Sequence, residues 1–162
     1  MKTSLASALG GLTLLLASVP VPAMDRAPLP AFEVKSLDGQ TVASSGLGQA
    51  GGWLLLYVTP QSQASERLLR LVKKHEDGNA AARMVVVVGG SLAETRAVCD
   101  AFPDLARAAW YADPERSAFA ALAIKGAPTA VGIRDRGMEW KVDGVPADTR
   151  TVKSILLSWI AE

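Results

Sequence analysis

Trp53-Leu54-Leu55-Leu56-Tyr57-Val58-Thr59-Pro60-Gln61-Ser62-Gln63-Ala64-Ser65-Glu66 is the stretch that decides the fold. Its first six residues are all apolar, the length of a strand buried on both faces. Thr59-Pro60 stops the run. From Ser62 to about Asp77 the pattern becomes helical. Leu68, Leu69, Leu71 and Val72 form one broad stripe, and Gly78 ends it. A buried strand therefore turns directly into a helix, with Ser62 and Ser65 in the first turn. Ser62 suits the N-cap, where a hydroxyl is worth about 1 kcal/mol.

Working outward, Arg83 to Val88 is a second buried strand, apolar after Arg83 and stopped by Gly89-Gly90. Two buried strands joined by a helix imply a parallel pair with a right-handed crossover. Ser91-Leu92-Ala93-Glu94 is a capping box, and its helix runs to about Phe102, before Pro103. Asp113-Pro114 has the chemistry of an N-cap and N1 pair for a short helix through Ala123. Strands at Thr129 to Arg134 and Met138 to Val142 flank the turn Asp135-Arg136-Gly137. Thr149 to Ala161 places Val152, Ile155, Leu156, Trp159 and Ile160 on one helical stripe, with Asp148 as its N-cap. Upstream, Ala31 to Val34 and Thr41-Val42 flank Leu37-Asp38-Gly39-Gln40, a hairpin signal. Ser44 to Gly52 reads as a loop. The order is β-hairpin, βαβα, a short helix, then ββα: an α/β domain with a mixed sheet and helices on both faces.

The N-terminus reads differently. Lys2 is a short positive region, Leu5 to Val19 is apolar and uncharged, and Val21-Pro22-Ala23 offers a small residue for cleavage. Residues 1–23 read as a secretory signal peptide. The alternative is a retained anchor, since Leu5 to Ala23 just reaches across a bilayer. Gly10-Gly11, Pro20 and Pro22 favour cleavage. Residues 24–30 are then a Pro-rich linker, and 31–162 the folded domain.

Composition narrows the function. Apolar residues make up 49% and charged residues 20% of 162, which fits a packed globular chain. Cleavage takes one of the 17 basic residues, Lys2, and leaves 16 against 16 acidic ones. With no basic run there is no electrostatic case for nucleic acid. The single cysteine, Cys99, forms no internal disulfide. With one histidine, His75, and no ligand cluster, no metal site is expected. Gly46-x-Gly48-x-x-Gly51 matches a dinucleotide fingerprint in letters only, because it precedes a strand instead of following one.

These pieces, in this order, resemble the thioredoxin superfamily, and within it the exported TlpA-like redoxins, among them the MauD-type proteins of methylamine dehydrogenase maturation. The resemblance covers roughly residues 28 to 161. Leu29-Pro30-Ala31-Phe32 and Leu37-Asp38-Gly39-Gln40-Thr41-Val42 look like the opening segment of a redoxin. Leu54 to Ser65 looks like the strand and its Ser/Thr-Pro-x-Cys-x-x-Cys turn, with Ser62 and Ser65 in the two cysteine places. Gly126-Ala127-Pro128-Thr129 looks like the cis-proline loop, and Asp143-Gly144-Val145 also fits. The resemblance implies a thioredoxin-like fold and no cofactor. It also implies that Ala127-Pro128, with Thr59, Pro60 and Ser62, faces an extended segment of a protein client. The residues alone do not predict a cis bond; the alternative to the resemblance is a trans proline starting a strand.

The serines put the family's chemistry in doubt. A thiolate at a helix N-terminus is a nucleophile because the dipole and free N–H groups stabilise it. An alcohol there stays protonated and forms no disulfide. Ser62 also lacks a base for hydrolase chemistry, since His75 is 13 residues on, roughly 20 Å along the same helix. Cys99 reads first as a small buried hydrophobe, with a reactive thiol or an intermolecular disulfide as the alternative. His75 reads as a solvated residue near a helix end.

Two functions follow. One is a periplasmic or otherwise exported binding or maturation module for a client protein, touching a membrane only if the signal segment is retained. The other is a thiol-disulfide oxidoreductase or thiol peroxidase, working through Cys99 or through native cysteines at 62 and 65 that serine has replaced.

Overall fold

The computed structural model describes residues 27–75, 80–146, 150 and 157–161. Eight strands form one sheet: β1 (Ala27–Pro28), β2 (Glu33–Ser36), β3 (Thr41–Ala43), β4 (Gly52–Val58), β5 (Met84–Val88), β6 (Ala109–Ala112), β7 (Thr129–Arg134) and β8 (Gly137–Asp143). The helices are α1 (Gln63–His75), α2 (Leu92–Ala101), α3 (Ser117–Ala121) and α4 (Ser158–Ala161). The sheet order is β1-β8-β7-β4-β5-β6-β2-β3. β4 runs parallel to β5 and antiparallel to β7, and β5 runs parallel to β6. The sheet is therefore mixed, as the sequence indicates.

β4 lies inside the sheet, and every one of its residues is buried. Period-two alternation splits them between two cores. Leu54, Leu56 and Val58 join Met84, Val86 and Val88 beneath Leu68, Leu69 and Val72 of α1. Leu55 and Tyr57 face the other way, with Val85, Val87, Val131 and Ile133, under Ala118 of α3 and Leu122. Helices thus cover both faces.

Three details differ from the sequence reading. β6 was not anticipated; it links the β2–β3 hairpin to β5 by pairing on both its sides. Asp113 is not at the N-cap position of the short helix, although its carboxylate accepts from the Phe119 amide in the first turn. That helix starts at Ser117, and Arg116, at φ 56, occupies the N-cap position. Asp113 is instead drawn inward by Tyr57, as described below. Part of the Pro-rich lead-in, Ala27–Pro28, pairs with Met138 and Gly137. The signal segment lies outside the described residues, as does most of the helix read over Thr149 to Ala161.

The Gly-rich loop before β4 has a packing role. Gly48 sits at φ +72, and a Cβ there would lie 2.3 Å from the Trp53 ring. Only glycine allows both the turn and that approach. Its place is against the Trp53 indole.

Candidate functional site

The parallel strands β4, β5 and β6 end together, because Val58 is in register with Val88, and Val88 with Ala112. The segment after each strand therefore leaves from one edge: Thr59 to Ser62, Gly89 to Ser91, and Asp113. β7 starts at the same edge, since Thr129 pairs with Tyr57. Continuing that register sets Pro128 across from Val58. The sheet thus brings Thr59, Pro60 and Ser62 and the Ala127-Pro128 pair to one place, the edge where open α/β sheets bind ligands.

On the β4 side, Ser62 caps α1. Its Oγ accepts from the Ser65 amide at 3.3 Å, and its carbonyl accepts from the Glu66 amide at 2.9 Å. Ser65 is 2% exposed, and its Oγ accepts from the Thr59 amide at 3.0 Å. Both serines are therefore engaged with the backbone of the turn. Gln61 completes the turn at φ 56. Pro60 packs close to the end of β5, where a Cβ on Gly90 would lie 3.1 Å from Pro60 Cγ and 2.9 Å from Glu94 Oε2.

On the β7 side, the Ala127–Pro128 peptide bond is cis. Thr129 Oγ1 lies 2.7 Å from the Gly126 carbonyl and 2.8 Å from Asp143 Oδ1, which ties the loop to β8. The Pro128 carbonyl accepts from the Gly144 amide at 2.7 Å. Ala127 is half-buried, and among the described residues its amide and carbonyl make no backbone hydrogen bond.

A groove of about 350 Å³ opens between α1 and α2. Thr59, Pro60, Ser62 and Ser65 line it, but Ala127 and Pro128 do not. Its apolar wall is Val58, Leu69, Val98, Ala101 and Phe102, with Glu94 at the rim. Glu94 closes the capping box of α2, and the Ser91 hydroxyl and amide hold its carboxyl below the ordinary range. The sequence shows the capping box, but not that α2 packs beside the serines. A larger cavity, about 850 Å³, lies between the β1–β3 segment and residues 113–117 and holds none of the sequence-derived site residues.

Beneath this edge lies a polar pair that sequence reasoning missed. Tyr57 is fully buried, and its hydroxyl donates to Asp113 Oδ2 at 3.1 Å. The Phe119 amide donates to the same oxygen at 3.1 Å. Burial, then the Asp113 charge, pushes the Tyr57 phenol well above its ordinary pKa. The pair ties the ends of β4 and β6 to α3.

Cys99 sits on α2, packed against the core face under α1. Burial, then Asp100, pushes its thiol pKa up, the reverse of what a reactive thiolate needs. The described part of His75 ends α1. Among the described residues no three His, Cys, Asp or Glu side chains converge as metal ligands, and no helix is long and apolar enough to cross a membrane.

No protein-family model and no curated protein matches this chain. Solved structures do. A secreted Mycobacterium tuberculosis disulfide oxidoreductase homologous to E. coli DsbE superposes with a TM-score of 0.62 at 14% identity, over 80% of this chain and 94% of that one. The exposed lipoprotein thioredoxin Etrx1 of Streptococcus pneumoniae gives 0.59 at 16% identity, over 78% and 97%. StoA of Bacillus subtilis gives 0.53 at 17% identity, over 78% and 96%. Likeness at such identities speaks for architecture and not for activity. With the mixed sheet and its flanking helices, it makes this chain a protein of thioredoxin-like fold.

Proposed function

We propose that this chain is an exported thioredoxin-fold protein that binds an extended segment of a client polypeptide without dithiol exchange. It serves as an assembly or maturation module, in the manner of the MauD-type group it resembles. The observation that carries the reading is the serine pair: two alcohols, both bonded to the turn, where the exchange reaction needs two thiols. Client contact falls to Thr59, Pro60, Ser62, Ala127 and Pro128. Ala127, whose amide and carbonyl make no backbone hydrogen bond among the described residues, suits strand addition, in which main-chain hydrogen bonds supply the affinity. Residues 1–23 supply the export signal, and 31–162 the binding domain. The raised pKa of the Cys99 thiol argues against a redox role for that residue.

Reduction of insulin disulfides tests the reading, with the chain compared to its Ser62→Cys/Ser65→Cys variant. The parent is expected to stay at background and the double variant to reduce insulin. An active parent points to Cys99 and overturns the binding role. A folded but inactive double variant removes the claim that this is a redox scaffold.

A further inference from the structure

In a dithiol protein the turn at this position has two states, because its cysteines are joined in one and separate in the other. The serines here have a single arrangement. Ser62 Oγ accepts from the Ser65 amide at the start of α1, and Ser65 Oγ accepts from the Thr59 amide at the exit of β4. The two bonds close a clamp across the turn. Ser65 is buried, so its hydroxyl does not exchange this partner for water. Within the clamp Gln61 holds a left-handed backbone, a conformation that persists only where its surroundings impose it. A thiol is a weak acceptor and does not replace the hydroxyl in that role.

We propose that Ser65 is a positioning residue. Through Thr59 it holds the turn facing Ala127-Pro128 in one conformation, whatever the redox state of the surroundings. The turn is then a fixed surface that a client can enter and leave in an oxidising compartment without covalent capture. That consequence rests on the client-binding reading above, but the clamp itself does not.

Amide hydrogen exchange at Thr59 tests the clamp without any client, so its failure is separable from failure of the insulin experiment. In the parent, Thr59 should be protected equally in reducing and oxidising buffer. Ser65→Ala should speed its exchange about fivefold, the value of one typical hydrogen bond. Val86 in β5 should be unchanged, which separates a local opening from global destabilisation. Ser65→Cys, which keeps the side chain's shape, should also speed Thr59 and serves if the alanine variant fails to fold. In Ser62→Cys/Ser65→Cys, Thr59 exchange should become redox-dependent. Unchanged Thr59 exchange in the folded single variants, or redox dependence in the parent, overturns the proposal.

Discussion

Replacing Tyr57 with Phe removes one oxygen from the centre of the molecule, and the structure gives the size of the effect. Asp113 is 1% exposed, and among the described residues its buried Oδ1 has no hydrogen-bond partner. Oδ2 accepts from two groups, the Tyr57 hydroxyl and the Phe119 amide, each at 3.1 Å. A buried carboxylate that loses one of two donors loses a hydrogen bond to a charged group, worth about 2 kcal/mol. The phenyl ring stays in the same hole, in its tilted contact with Phe119 at 5.6 Å, so the apolar packing is kept. In a chain of this length about 2 kcal/mol lowers Tm by roughly 4–8 °C.

The pH dependence gives an independent check. Burial and Asp113 raise the folded pKa of Tyr57 above its ordinary 10.0, so folding favours the protonated phenol. Its contribution is fully present below pH 10 and is lost as pH rises through the folded value. The stability gap between parent and Tyr57→Phe should therefore be widest near neutrality and narrow by about pH 11. Burial also raises Tyr111, but that residue is common to both proteins and cancels. Urea unfolding followed by circular dichroism at the two pH values measures the gap. A Tyr57→Phe protein as stable as the parent at neutral pH, or a gap that does not narrow, refutes the reasoning.

Two further outcomes follow from packing and burial. A Cβ on Gly132 would lie 2.2 Å from the Trp140 ring, its cross-strand partner, so Gly132→Ala should cost about 1–3 kcal/mol and change the near-ultraviolet spectrum; an unchanged Tm counts against the β7–β8 register. The Cys99 thiol, raised by burial and Asp100, should react with an aromatic disulfide reagent more slowly than free cysteine, and faster in urea; rapid reaction of the native chain would reopen its redox role.

The central elements were legible because their signals are local. β4 and β5 are unbroken apolar runs, and the Ser91 capping box needs only four residues. β6 escaped because Ala109–Ala112 is short and of mixed burial, and it becomes a strand only by lying between β5 and β2. Asp113 misled for a related reason. Its carboxylate does accept from the Phe119 amide in the helix's first turn, but from outside the N-cap position, and it shares that oxygen with a hydroxyl 56 residues away. The same split runs through the site. Ser62 as N-cap follows from its place three residues before Ser65, while the Ser65–Thr59 bond needs the turn's actual path. The groove wall at Val98 and Phe102 needs α1 and α2 brought to either side of one groove, which no single segment encodes.

If Ser62 and Ser65 stand in thiol places, as proposed, binding can outlast exchange, because the two rest on different atoms. A helix N-terminus brings a thiol pKa from about 8.5 into the range of about 3.5–7.5, which makes it a nucleophile at neutral pH. The same dipole acts on an alcohol too weak an acid for the shift to matter, so Ser62 keeps its proton and its bond to the Ser65 amide. The proposed recognition depends instead on the backbone of Ala127, held by the Thr129 hydroxyl and by the Pro128–Gly144 bond. Neither anchor is a hydrogen bond to residue 62 or 65. On the proposed reading, serine in place of two thiols removes the reaction while the Ala127 amide and carbonyl, which make no backbone hydrogen bond among the described residues, stay able to meet a partner strand. The Ser65 hydroxyl that accepts from the Thr59 amide is a better acceptor than a thiol would be, which on the proposed reading favours one fixed turn.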